Sequence, residues 1–285
     1  MTEQAVIRPL TRDELGTVVG WAEAEGWNPG LADADAFWAQ DPHGFWGAEL
    51  DGRLVGSASA VAYGDAYGFW GLFIVVPELR GRRIGSLLAR TTIAGLQERL
   101  APGAAIELDG VPEQQDYYRS LGFVYRHRDV RMRGIARIEV PEHDVVPLSS
   151  LPLAQVAAYD ASVFGVARPA FLERWIEPPG GLAVGVLRGG ELAGIGVVRP
   201  SVDGAKIGPL SADDDGVAES IYRALAAHVA GAPVHLDVPE AHPAAVALAE
   251  RHGLTEVFSC ARMRLGGEAA TRWDHVYGVT TFELG

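Results

Sequence analysis

The stretch VVPELRGRRIGSLL, residues 75–88, leaves an apolar segment through Pro77, meets three arginines and two glycines, and continues into a helix-like apolar pattern. Pro77 ends strand pairing because it has no N–H to donate. Ile84, Leu87, Leu88, Thr91 and Leu96 recur at helical spacing and predict a helix from 84 to about 97. The loop over 80–85 therefore opens on a helix start, where unpaired backbone N–H groups and the helix dipole favour an anion such as phosphate. Gly81 and Gly85 allow close backbone approach, and Arg80, Arg82 and Arg83 add long-range attraction. Three solvated loop charges are the plainer alternative, which their place at a strand-to-helix junction disfavours.

Upstream of this loop, AVIRPL (5–10) reads as a strand, and Thr11 caps a helix to about 25 that GWNPG (26–30) breaks. FWGAEL, the turn DGR and LVGSASAVAY form a hairpin, and GFWGLFIVV (68–76) is a further strand. Downstream come the strand AAIELD, a helix over 113–121 and the strand FVYRHRDVRMR. From about Pro147 the order repeats: helices over 151–160 and 169–177, LAVGVL, the turn RGG, ELAGIGVVRP, AKIGPL, a helix over 217–229, VHLDV, and a helix through AAVALAERHGL. RSLGF answers ERHGL, and Arg131, Met132 and Arg133 answer Arg262, Met263 and Arg264, both at an offset of 131 residues. Identical tripeptides at one offset indicate duplication. The expected organisation is a first domain over 1–134, a linker over 135–146, and a second domain over 147–285. Its tail, 268–285, has no counterpart in the first half. The fold class is α/β of the α+β kind, each domain a mixed, mostly antiparallel sheet flanked by helices.

Composition narrows the function. A chain of 285 residues, 48% hydrophobic, is long enough for two packed cores. Its net charge of -13 argues against nucleic acid or an anionic membrane as partner and suits a cationic small molecule or basic peptide. The start MTEQAVIRPL lacks a signal-peptide pattern and no segment has the length of a membrane span, so the expected location is cytoplasmic. Cys260 is the one cysteine and the eight histidines show no HxxxH or HxH grouping, so no metal is expected. Lys206 is the one lysine, which reads as coding bias.

VVPELRGRRIGSLL resembles the acetyl-CoA motif of the GNAT N-acetyltransferases, in which Arg or Gln is followed by two residues, Gly, one residue, and Gly or Ala, opening a helix after a Val-x-Pro strand end. Arg80, Ile84 and Gly85 fit; the middle Gly is Arg83, a minor departure if Arg83 keeps a negative φ. The second block of the family, a helix ending in Tyr, three residues, Gly and Phe, is YRSLGF (118–123). The asparagine often found seven residues before that Tyr is Val111 here. YGDAYGFWG, LDGVPEQQDYYRSLGF and VYGVTTFELG further resemble bacterial tandem GNAT proteins of the YitH-type acetyltransferase group. The resemblance implies acetyl-CoA as co-substrate, bound by Ile74, Val75, Val76, Arg80, Gly81, Arg82, Arg83, Ile84, Gly85 and Ser86. It also implies a bulge near Ile74 to Val76 that polarises the thioester, and Tyr118 as the acid that protonates the departing thiolate. Tyr117, about 100° round the helix, is a packing aromatic.

The base is less defined. The strand GFWGLFIVV offers no carboxylate, so Asp65, Glu107, Asp109 and the C-terminal carboxylate are candidates, with Asp109 at a strand end preferred. Trp27 and Tyr67, in predicted loops, and Asp65 are the candidates for the acceptor pocket. The expected function is transfer of acetyl from acetyl-CoA to a small primary amine such as an amino sugar, amino acid or polyamine. A CoA-binding sensor and a partner-binding scaffold are the alternatives, and the sequence allows a homo-oligomer. Opposite PELRGRRIG the second half has PLSADDDGV (209–217), and opposite Tyr118 it has Ala249, so cofactor binding is expected in the first half alone.

Overall fold

The structure, a computed structural model, describes residues 5–285. Strand β1 (Val6–Pro9) leads into helix α1 (Arg12–Ala24), whose start is fixed by a capping box: the Glu14 N–H donates to Thr11 Oγ1 at 3.3 Å, and the Thr11 N–H donates to the Glu14 carboxylate at 2.8 Å. After the GWNPG break comes α2 (Asp33–Gln40), a helix that the sequence reading did not anticipate. Asp51 and Gly52, both at positive φ, turn the hairpin between β2 (Phe45–Leu50) and β3 (Arg53–Tyr63). Then follow β4 (Tyr67–Val75), α3 (Ile84–Arg99), β5 (Ala105–Gly110), α4 (Gln115–Ser120) and β6 (Val124–Ile135). Residues 136–144 carry no helix or strand.

The second half repeats the order as β7 (Val145–Pro147), α5 (Leu153–Phe164), α6 (Pro169–Trp175), β8 (Leu182–Arg188), β9 (Glu191–Pro200), β10 (Ala205–Ala212), α7 (Asp215–His228), β11 (Pro233–Pro239), α8 (Pro243–Arg251) and β12 (Thr255–Leu265). A short β13 (Val276–Gly278) belongs to the tail.

All these strands join one mixed, mostly antiparallel sheet, in the order β1-β2-β3-β4-β5-β12-β6-β11-β10-β9-β8-β7 with β13 on β10. The parallel neighbours are β4 with β5 and β10 with β11. A linear reading of the duplication gives each half its own closing strand; the structure exchanges them. β12 of the second half lies on β5 of the first, and β6 of the first lies on β11 of the second. β6 and β12 share the Arg-Met-Arg tripeptide and meet equivalent neighbours, so each can take the other's place.

Helix α3 covers the first half of the sheet with Leu88, Ile93 and Leu96, and α7 covers the second with Val217, Ile221 and Leu225. Each such side chain, fully buried, contributes about 1.5–3 kcal/mol. A further core is shared between the halves: Phe37 of α2 stacks on Trp175 of α6 at 6.3 Å, beside Phe171.

Candidate active site

β4 and β5 pair only from Tyr67 to Phe69, opposite Ala105 to Glu107, and then diverge. The gap between them is a cleft of about 650 Å³. β4 enters it with a bulge, a register shift against β3 between Ser57 and Ser59, where Leu72 takes a φ of +45° and its carbonyl accepts from Ser57 Oγ at 2.8 Å. The bulge therefore centres on Leu72 and Phe73 rather than on 74–76 as expected, because the chain has already returned to regular pairing at Ile74, opposite Ser57.

The mouth of α3 borders the cleft through Arg80, Gly81, Arg83, Gly85 and Ser86, together with Ile74 and Val75 of β4. Arg82 is exposed outside the lining, and Val76 and Ile84 are buried behind it. Arg83 is the N-cap residue at φ +65°, so the condition of a negative φ, under which the departure from Gly would be minor, is not met. The motif's middle position needs the left-handed conformation that Gly adopts freely, and Arg83 bears a strain of roughly 1 kcal/mol to supply it. No side chain caps this helix, which leaves its first N–H groups available to an anion. Arg80 Nε donates to the Val75 carbonyl at 2.8 Å, and its guanidinium pairs with Glu25, an exposed ion pair that a phosphate can displace at small cost.

Tyr118, on α4, is 6% exposed and borders the cleft with its ring edge-on to Trp70, the centroids 6.1 Å apart. Gly110 makes room for it: a Cβ there would lie 2.1 Å from the Tyr118 ring. Burial raises the Tyr118 phenol well above its ordinary range, so it keeps its proton. Tyr117 stacks on Phe73 with centroids 6.1 Å apart, as a packing aromatic would, although it also borders the cleft.

Asp109 does border the cleft, but it is not an open base. Arg262, brought onto β5 by the strand exchange, engages both its oxygens at 2.7 Å and reaches Glu107 at 3.2 Å and Asp129 at 3.3 Å. The guanidinium is held between Phe69 and Trp273, 5.2 and 5.0 Å from its carbon. Burial pushes Asp109 well above the usual carboxylate range, with Arg262 pulling the other way. Two further expectations are corrected. Asp65 is exposed in a turn away from the cleft lining, and Tyr67 is the first residue of β4, buried, with its hydroxyl donating to Glu107 at 3.0 Å. Gly285 lies outside the cleft lining, its carbonyl accepting from Arg168 at 3.4 Å. Trp27 does border the cleft.

Among the bordering residues that sequence reasoning did not name are Phe258 and Cys260 of β12, and Phe282 and Glu283 of the tail. The signal for the last two was the tail's want of a counterpart in the first half. The tail first fills the second half's own opening. β10 and β11 part after Ile207, and β13 pairs with β10 at Leu210 and Ser211 while the Val279 N–H donates to the Asp237 carbonyl at 2.7 Å. At the start of α7, Asp214 accepts from the Val217 N–H at 3.0 Å and caps the helix that α3 leaves open. The tail then crosses to the first half, where Glu283 packs so closely on β4 that a Cβ on Gly71 would lie 2.3 Å from its carbonyl oxygen.

Residues 9–123 match the model of the acetyltransferase (GNAT) family, and residues 156–278 match that of an acetyltransferase (GNAT) domain. The holothin acyltransferase of Pseudoalteromonas sp. (strain SANK 73390) is 29% identical over 280 residues, spanning 98% of this chain and 94% of its own. A solved protein of Pyrococcus horikoshii described as a candidate acetyltransferase superposes with a TM-score of 0.83 at 26% identity, over 99% of this chain and 96% of its own. A tandem GNAT protein from the clavulanic acid biosynthesis pathway shares the fold with a TM-score of 0.62 at 15% identity, over 92% of this chain and 98% of its own.

Proposed function

Since this chain belongs to the GNAT superfamily of acyltransferases, with two such domains in tandem, we propose that it transfers an acetyl group directly from acetyl-CoA to a small primary amine. The observation that carries this reading is the convergence in one cleft of the uncapped α3 start, the bulge of β4 and the buried Tyr118 phenol. The open amides of α3 and the nearby Arg80 suit the pyrophosphate. The bulge offers backbone donors beside the thioester carbonyl, where charge develops in the transition state. A thiolate leaving group, with a solution pKa of about 8.5, is aided by a proton from Tyr118.

An acceptor ammonium near pKa 10.4 enters with a handicap of roughly 4–5 kcal/mol at pH 7, so a group in the cleft must take its proton. The net charge of -13 favours a cationic acceptor. Among the described residues no helix is long and apolar enough to cross a membrane. The capped α7, the β13 strand and Ala249 support a single cofactor site, in the first half.

The test is thiol release from acetyl-CoA across a panel of amines that includes holothin, with calorimetric binding of acetyl-CoA measured in parallel. Turnover with any panel amine bears the reading out. A folded protein that binds no acetyl-CoA overturns it.

A further inference from the structure

Beyond the donor side of the cleft, its far wall is built from Trp27, Leu72, Phe258, Cys260 and Phe282, with one acidic side chain among them, Glu283. Glu283 is 3% exposed. Its Oε2 accepts from the Thr281 hydroxyl, whereas Oε1 is buried with no hydrogen-bond partner. A buried carboxyl oxygen left without a hydrogen bond is costly, an arrangement that persists where a ligand completes it. Two buried basic side chains lie within electrostatic reach of it. Arg131 lies over the Phe282 ring at 5.0 Å while paired to Asp237, and Lys206, the one lysine of the chain, is buried with its Nζ 3.9 Å from Asp237 and without a hydrogen bond. The backbone of Glu283 is packed on Gly71, the residue before the bulge, so Glu283 and the bulge line the same cleft.

Resting on the acyltransferase reading above, we propose that Glu283 receives the acceptor's ammonium and takes its proton, and that the acceptor is a primary amine carried on a flat, apolar or aromatic body. The ammonium gives one proton to Glu283, and the freed lone pair forms the C–N bond as the C–S bond breaks. The sulfur takes a proton from Tyr118, which is restored by the second proton that the nitrogen sheds, and the proton on Glu283 returns to solvent. The apolar wall excludes polyhydroxylated acceptors because their hydroxyls would lose water without finding partners.

The experiment compares full-length protein with Glu283→Gln and Glu283→Asp, using acetyl-CoA with phenethylamine and tryptamine against glucosamine and spermidine. The aromatic amines are expected to exceed the other two by at least about tenfold in kcat/KM. Glu283→Gln is expected to lower kcat about 10²-fold, with the remaining rate climbing steadily with pH as solvent hydroxide substitutes for the carboxylate, and with acetyl-CoA affinity unchanged within about twofold. Glu283→Asp keeps the charge, so it reports on the role even if the Gln variant does not fold; it should retain the parent's pH profile at reduced kcat. Wild-type kcat and pH profile in a folded Gln variant, or full kcat in the Asp variant with the Gln variant unfolded, would make Glu283 structural and sink the proposal. Preference for glucosamine or spermidine would overturn the acceptor class, as would acetyl-CoA binding without turnover of either aromatic amine. Loss of acetyl-CoA binding by the unmodified protein would instead count against the acyltransferase reading itself.

Discussion

A phenol packed edge-on to Trp70 and raised by burial holds its proton across the physiological range, which is what an acid awaiting a thiolate needs. Tyr118→Phe should therefore lower kcat by about 10² with acetyl-CoA affinity held within a few fold, and Tyr117→Phe should do far less. Steady-state thiol release decides this, and the reverse ranking would transfer the role to Tyr117. A second residue reports on the buried charges around Arg262. His127, its ring 4.5 Å from Trp273, is pushed down to about 4 by burial and then by Arg262. The unfolded chain takes this proton as pH falls through about 6.5 and the folded chain only near 4, so stability is lost across that window, roughly 2 kcal/mol of it by pH 5. Asp129, 3.2 Å away and pushed up to about 6 by burial, acts in the opposite sense, because the folded chain protonates it before the unfolded chain does. His127→Gln removes the first effect, so urea midpoints of the variant should fall less between pH 7 and pH 5 than those of the parent. Parallel curves would show that His127 takes up its proton as readily in the folded chain as in the unfolded one.

The loop into α3 is the element whose sequence is most readable, because its chemistry is local: a strand end, a proline, glycines and a helix start within a dozen residues. Arg80→Glu sets a second carboxylate beside Glu25 at the cleft mouth and should weaken acetyl-CoA at least tenfold by calorimetry, since a charge-assisted contact of about 1.5 kcal/mol or more becomes a repulsion. Arg83→Gly relieves a left-handed residue at the cost of a freer unfolded chain; affinity should hold, with stability unchanged or raised by up to about 1 kcal/mol. A lower melting temperature would contradict that account of the strain. The hairpins and the α3 span were legible for the same local reason, whereas Tyr118 was singled out by the family resemblance of YRSLGF. Asp109 was misread because its role depends on Arg262, which reaches β5 from the other half. The choice between β6 and β12 as the neighbour of β5 sets two strands with the same Arg-Met-Arg tripeptide against each other, and no local pattern decides it. The tail was visible as unmatched sequence, yet its course over β10 and then Gly71 is fixed by packing between elements distant in the chain.

At the scale of the whole molecule, duplication gave two openings and the tail treats them differently. β13 fills the second, and Phe282 and Glu283 wall the first. Calorimetry should accordingly find one acetyl-CoA per chain. Asp213→Ala with Asp214→Ala should not create a second site, because uncapping α7 leaves β13 in place; two equivalent sites in that variant would refute the role given to the strand. The exchange of β6 and β12 has a thermodynamic consequence as well. β5 of the first half is paired along Ile106 to Gly110 by a strand of the second, and β11 of the second along its length by a strand of the first. Neither half can unfold without stripping the other of a central ladder and of the core that Phe37, Phe171 and Trp175 share across it. Two domains joined by a linker would melt in two steps, whereas this sheet should melt in one, with the calorimetric enthalpy equal to the van't Hoff enthalpy. Acetyl-CoA bound in the first half should then raise the whole transition by mass action rather than split it. A biphasic melt, or a ligand shift confined to part of the enthalpy, would mean that the halves fold as independent units despite the exchanged strands.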